Sequence, residues 1–371
     1  MGALEAGAGV LLVLGALTDL FQSIVTPRPV GGRLRPSRYL DRVLWRAVRW
    51  LALRERMTRR REALLGSYGP ALVLIQFVGW GLLLVAGYGL ILDALRGQIT
   101  PRPAGLGTSI YVAAVSFLTI GYGDYAPSGA VARVVAAIAG ATGLGVIALV
   151  ITYLFSLFAA FQRREAAVVA LEAAAGAPPS GVSLLETYAL GGILDDLADV
   201  FKRWQRWSAE VLDSHLAFPT LTYFRSSHDN DSWIGSLGAV MDASTLVLTT
   251  LDCEGDPALV AARGWARQAL WVAGHCLEDL IIYFDLRFED HVGVELHEYR
   301  AARERLVRAG YRLRAETEGW EAFQRVRSGY ADRVNALAHH WAIPPAQWIG
   351  DRSPLKLRPR HGSERDLPGG G

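Results

Sequence analysis

Residues 119–124 read Thr-Ile-Gly-Tyr-Gly-Asp. Two glycines alternate with large side chains, a threonine precedes them and a carboxylate follows. The chemistry open to such a segment is ligation of a desolvated cation by main-chain oxygen. A cation stripped of water needs replacement oxygens, and successive carbonyls supply them when all turn toward one axis. That backbone shape is strained for residues with a Cβ, and glycine at alternate positions relieves it. Gly121 and Gly123 meet the need. In this reading Thr119 adds its hydroxyl as the innermost ring. Ile120 and Tyr122 point away and pack outward, fixing the ring diameter, and Asp124 sits at the mouth, where carboxylates attract cations. One chain supplies one strand of such a ring. Non-helical backbone at membrane depth is tolerated only when buried in protein around a cavity, so several copies are needed.

The elements that must position this segment are apolar. Ala63–Leu92 and Val134–Gln162 contain no charged side chain, and at 1.5 Å per helical residue each is long enough to cover the about 30 Å of hydrocarbon in a bilayer. Ala6–Val25 is a weaker third span, interrupted by Asp19. It lacks a basic leading segment, so it reads as an anchor rather than a signal peptide. Residues 27–62 carry twelve arginines against Asp41, Glu55 and Glu62. Cytoplasmic loops retain such charge, which predicts an outside N-terminus, an inside C-terminus and Leu95–Ser128 facing outward. Residues 37–62 show Leu40, Leu44, Val48 and Leu51 near helical spacing, with Trp45 and Trp50 suited to an interface. The expectation is one amphipathic helix on the inner leaflet, its arginines a solvated basic face in contact with anionic lipid rather than a voltage sensor. Thr108–Leu118 is the expected helix before the Gly-rich segment, capped near Thr108 or Ser109.

In this setting Thr119-Ile120-Gly121-Tyr122-Gly123-Asp124 resembles the signature filter of potassium channels, and the likeness covers roughly residues 66–161. It implies a potassium-selective pore of four identical chains in cyclic symmetry, with the intervening helix as pore helix and Val134–Gln162 as inner helix. Gly143, 19 positions after Asp124, matches the hinge glycine of the resembling inner helices. A gating bend and close packing through a small residue both remain open there. Below it Leu144, Ile147, Ile151 and Phe155 share a face and are the candidate pore lining, able to gate by dewetting. Leu118 and Val115 stand where many relatives carry threonine and some a glutamate, departures that bear on inactivation rather than selectivity. The stretch from Asp19 to Arg28 resembles loosely the start of uncharacterised bacterial channel-like proteins with an extra first helix. Asp19 is expected to form an ion pair with the neighbouring arginines or a cap, rather than part of the ion path.

Of 371 residues, 51% are hydrophobic and 20% charged, which excludes disorder and fits a membrane part joined to a soluble part. Two cysteines, Cys253 and Cys276, make neither a disulfide framework nor a zinc spacing. Eight of eleven tryptophans lie beyond residue 200, too many for solvent. Helical patterns are expected near 184–214, 231–252, 256–289, 295–309 and 316–342. Trp233–Leu251 is apolar enough to suggest a fourth span, but Asp242 and polar flanks favour a buried core helix. His228-Asp229-Asn230-Asp231, His291 with Glu295 and His297, His275 with Cys276, Glu278 and Asp279, and His339-His340 lack the spacing of metal sites, so no metal or cofactor is expected beyond the permeant ion. No Rossmann pattern occurs.

The fold expectation is an all-α membrane protein: an N-terminal transmembrane helix (1–27), a basic interfacial segment (28–65), an outer helix–pore helix–filter–inner helix channel core (66–162), a linker (163–183), an all-α cytoplasmic domain (184–350) and a disordered tail (351–371). The functional expectation is a non-enzyme: a multi-pass potassium channel of the cell membrane. It works as a homotetramer with lipid contacts, no nucleic acid, and a cytoplasmic module that gates or assembles it in response to an unidentified ligand. A potassium transporter subunit and a non-conducting sensor or scaffold are the alternatives. Arginine outnumbers lysine 36 to 2, which points to a bacterial source.

Overall fold

The computed structural model describes residues 2–24, 36–55, 57–226, 230–286 and 293–350. The chain is an all-α membrane protein. Three helices are long and apolar enough to cross a membrane: α1 (Gly2–Ile24), α3 (Thr58–Ala94) and α5 (Ala130–Ala175). Between them lie α2 (Pro36–Arg54) and α4 (Leu106–Phe117). The expected single amphipathic helix over 37–62 is corrected. It breaks after Arg54, and Arg59, Arg60 and Arg61 form the first turns of α3. His228, Asp229, His291, the first arginines of the basic block and the tail 351–371 lie outside the described residues.

The chain divides into two compact units, one of residues 1–48 and 67–159, the other of 49–66 and 160–371. In the first, one apolar cluster joins Val13, Ala16 and Leu20 of α1, Trp80, Leu84, Tyr88 and Leu92 of α3, Val112, Ala113 and Phe117 of α4, and Ala132, Ala139 and Val146 of α5. Lipid offers no hydrophobic drive between spans, so close backbone approach through small residues takes its place. At Gly9 an added Cβ would stand 2.5 Å from the carbonyl oxygen of Gly87, and one at Gly87 would stand 3.0 Å from that of Gly9.

Asp19 is buried within this unit and accepts from Ser37 Oγ at 2.9 Å and Trp80 Nε1 at 2.8 Å. Among the described residues its hydrogen-bond partners are these neutral donors of α2 and α3; the arginines expected beside it, Arg28, Arg33 and Arg35, lie outside the described residues. Two neutral donors satisfy a buried carboxylate without bringing a second charge into the apolar cluster. Asp41 docks the same end of α2 on α3. Its Oδ1 accepts from Gln76 Nε2 at 2.7 Å and its main-chain oxygen from the Tyr68 hydroxyl at 3.0 Å.

In the second unit, α5 continues to Ala175 before Gly176 turns the chain. Helix therefore occupies the first half of the stretch expected as linker, because residues 163–175 are rich in strong helix formers and hold no Gly or Pro. There follow α6 (Gly181–Leu190), α7 (Leu197–Ala217), α8 (Trp233–Thr249), α9 (Pro257–Phe284), α10 (Leu296–Arg308), α11 (Glu316–Ser328) and α12 (Ala331–His340). Two expected long helices are each split at glycine: 184–214 at Gly191-Gly192, 316–342 at Gly329. Helix α8 is a buried core helix, enclosed by α6, α9, α11 and α12. Its Asp242 is satisfied by Arg327 Nε at 2.9 Å and the Tyr330 hydroxyl at 2.6 Å.

The end of α5 is fixed in this unit by Arg164. The guanidinium is fully enclosed. It donates to the carbonyls of Leu221 at 3.0 Å and Phe224 at 2.6 Å, pairs with Glu165 at 3.0 Å, and meets His215 Nε2 at 3.2 Å. Burial, then the adjacent Arg164 charge, holds the His215 imidazole well below its ordinary pKa, so the ring is neutral.

Candidate functional site

The candidate site is built on α4. Its cap is Gly105, not Thr108 or Ser109. Ser109 Oγ instead donates to Asp93 Oδ1 at 2.8 Å, tying the start of α4 to the end of α3. Gly89 admits Ile110 alongside; a Cβ there would stand 2.7 Å from Ile110 Cγ1. The loops flanking the site are clasped by a two-residue ribbon, β1 (Ile99–Thr100) against antiparallel β2 (Ala126–Pro127), with Ile99 opposite Pro127. The Gln98 side chain accepts from Ala132 N at 3.2 Å, at the start of α5.

The far end of α4 rests on α5. A Cβ at Gly143 would overlap the Phe117 carbonyl, and one at Gly140 would stand 3.3 Å from the Ser116 oxygen. The Tyr88 hydroxyl and Thr142 Oγ1 meet at 2.8 Å, adding α3 to the same junction. Helix α5 is continuous through Gly143, and the contact supplies a packing reason for glycine there.

Beyond Phe117 the chain leaves the helix with Thr119 N bonded to Ser116 O at 3.0 Å and Ile120 N to Val115 O at 2.9 Å. The backbone then alternates. Thr119, Gly121 and Gly123 have φ of 55°, 65° and 80°, while Ile120 and Tyr122 do not share the left-handed region. The glycines were expected to relieve this geometry; Thr119, a β-branched residue, takes it without that relief. In the isolated chain the whole segment 118–124 is exposed, with Tyr122 70% accessible.

Asp124 is held by a residue that the sequence did not single out. The Tyr111 hydroxyl donates to Asp124 Oδ2 at 2.8 Å, and the Tyr111 ring meets Tyr125 edge-on at 6.2 Å. Nothing in the spacing of Tyr111 and Asp124 announces this, because one lies on a helix and the other beyond an irregular turn. The candidate pore-lining residues Leu144, Ile147, Ile151 and Phe155 are all exposed along α5, Phe155 at 75%. Gly143 beside them is buried against α4.

Elsewhere, among the described residues, no three His, Cys, Asp or Glu side chains converge. His275 lies 3.6 Å from Asp279 while Cys276 is buried, its thiol pushed up to about 12 by burial and by Asp279. His297 faces Glu295 at 3.2 Å in solvent. Burial and the neighbouring Arg49 lower His340 to about 4.

Residues 72–160 match the family model described as "Ion channel". That stretch opens in α3, closes in α5 and contains all of α4 and the segment 118–124. Over 244 residues the chain is 25% identical to the uncharacterized membrane protein YdjJ of Bacillus subtilis (strain 168), an overlap of 64% of this chain and 68% of that one. No solved structure matches.

Proposed function

We propose that the ion-channel domain at 72–160 is a potassium-selective pore, closed by four identical chains, through which the ion passes down its gradient. The observation that carries this reading is the run of left-handed backbone at Thr119, Gly121 and Gly123, in a segment placed between two spanning helices and immediately after α4. In an extended strand successive carbonyls point to opposite sides. Switching every second residue to positive φ turns them toward the same side, which suits a column of oxygen rings. Thr119, Ile120, Gly121, Tyr122 and Gly123 then carry the ligating oxygens, and Asp124, oriented by Tyr111, holds negative charge at the outer mouth. The C-terminal end of α4 adds partial negative charge behind the innermost ring. Leu144, Ile147, Ile151 and Phe155 line the inner cavity, and Gly143 is the candidate pivot of α5.

The N-terminus is outside and residues 160–350 are cytoplasmic, in the cell membrane of a bacterium, with α2 on anionic lipid. The cytoplasmic module acts on the pore through the continuous helix α5, gating it or holding the copies together.

Purified protein in liposomes, assayed for potassium and sodium flux separately, tests the proposal. Potassium should pass and sodium should not, and Gly121→Ala or Tyr122→Ala should abolish the distinction while assembly persists. Equal flux of the two ions through the native chain refutes selectivity. Absence of any flux in a verified assembly refutes conduction and leaves the scaffold.

A further inference from the structure

Helix α9 carries the most exposed large aromatic among the described residues of the second unit. Trp271 is 71% accessible, and Ile282 and Val260, 70% and 56% accessible, stand on the same side. At 3.6 residues per turn Val260, Gly264, Arg267, Trp271, His275, Glu278 and Ile282 fall within about 40° of one line along the helix. All seven are exposed. The opposite side, with Leu259, Ala262, Ala266, Ala269, Ala273, Cys276, Leu277 and Leu280, is buried, packed on α7 and α8. Among the described residues the outer line is therefore a second, uncovered seam on a helix whose core face is already satisfied.

The geometry points to a second copy of this chain as its occupant, laid antiparallel across a two-fold axis at Trp271. The seam is self-complementary about that residue. Val260 and Ile282 lie eleven positions to either side of it, so an antiparallel copy sets each apolar end against the other. A two-fold of this kind keeps each flank of the helix facing the same flank of its mate. Arg267 and Glu278 share one flank, and Arg267 of one copy falls within three residues, about 4.5 Å along the axis, of Glu278 of the other. The pair forms twice by symmetry. The opposite flank carries Gly264, facing His275 of the mate; Gly274, three positions from Trp271, lies on the Arg267 side. Both glycines are open, with no heavy atom within 4 Å of where a Cβ would stand, which leaves room for the two indoles at the axis. Trp271 is already stacked on its own His275, with planes 14° apart. The ring thus loses little freedom on docking, as an interface anchor should. This pairing is independent of which ion passes. In a four-chain assembly it would join the modules two by two, helped by the high effective concentration of tethered copies.

Oxidative crosslinking of the full chain in detergent tests the pairing, since Cys253 and Cys276 are both buried and the native protein sets the background. Trp271→Cys places a thiol beside its own symmetry mate and should give a covalent dimer. Val260→Cys and Ile282→Cys should each give none, whereas both together in one chain should give it. If Trp271→Cys fails because the anchor is lost, the double variant keeps Trp271 and decides the matter. Glu278→Arg should lower the double variant's dimer yield about tenfold by setting like charges on both flank pairs, and adding Arg267→Glu should restore it. No dimer from either thiol design, or single variants at 260 and 282 crosslinking as well as the pair, overturns the proposal. Both results are read without ion flux, so they stand apart from the test of the pore.

Discussion

Replacing Gly143 by alanine adds one methyl group to α5 at its contact with α4. The new Cβ would overlap the Phe117 carbonyl oxygen and lie 2.7 Å from the Phe117 carbonyl carbon and 3.3 Å from its Cα. Ordinary carbon contacts begin near 3.5 Å, so α4 or α5 must retreat by about 1 Å or more. The obstructing atoms are main chain and cannot swing aside as a flexible side chain would. Forcing a methyl group into a packed interface costs about 1–3 kcal/mol, while Gly→Ala inside a helix returns about 1 kcal/mol. A net loss is expected, and it falls at the residue two positions before Thr119. Gly145→Ala is the matched control. It makes the same change two residues on, with nothing within 4 Å of the added Cβ, and should be neutral or stabilising by up to about 1 kcal/mol.

The assay is thermal unfolding of both variants in detergent alongside potassium and sodium flux in liposomes. Gly143→Ala should lower the unfolding temperature and shift or reduce flux; Gly145→Ala should do neither. A pure hinge role predicts the contrary for Gly143: unchanged or raised stability with altered open probability only. If Gly143→Ala unfolds at the native temperature, the packing argument is wrong and the bend is what the glycine serves.

Two further outcomes are expected. Burial, only partly offset by the Gln76 hydrogen bond, raises the Asp41 carboxyl to about 7, against about 4 in an unfolded chain; the folded state then holds the proton more tightly, and stability falls as pH rises from about 4 to about 7. Asp41→Asn should flatten that part of a pH-resolved unfolding series, and an unchanged slope would show that Asp41 is solvated. Arg164→Lys should destabilise the module by about 1–3 kcal/mol, because a single ammonium cannot reach Leu221 O, Phe224 O and Glu165 together and strands a buried acceptor; denaturant unfolding that matches the native chain would show that the buried fork is dispensable.

The spans, the position of α4 and the Gly-rich segment were legible in the sequence because each depends on local pattern: apolar runs long enough for a bilayer, and glycines at alternate positions. Helix α8 was legible through its polar flanks and Asp242, which a lipid-facing helix would not carry. Its actual satisfaction by Arg327 and Tyr330 comes from more than 80 residues away and has no local sign. The same limit hid Tyr111 on Asp124 and Trp80 on Asp19. Boundaries failed where charge pattern and backbone disagreed. The basic stretch 37–62 has one amphipathic rhythm but two helices, and residues 163–175 look like a connector by position yet are composed to continue a helix. Gly143 was picked out by spacing, but only the Phe117 carbonyl shows that glycine is needed for space.

The segment 119–123 carries a cost that one chain does not repay. A β-branched threonine at φ 55° stores about 1–3 kcal/mol of strain. Ile120 and Tyr122, the side chains that should brace the segment, are 46% and 70% accessible. Carbonyls turned to one side also repel one another until a cation lies among them. Among the described residues the segment is hydrogen-bonded at its two ends, by the bonds of Thr119 and Ile120 to the last turn of α4 and by Tyr111 on Asp124. On the proposed reading the middle draws its stability from neighbouring copies and from the ion itself. On the proposed reading the conformation and the conduction have one cause: the geometry that strains an empty, solitary strand is the one that a ring of strands around a desolvated ion makes favourable.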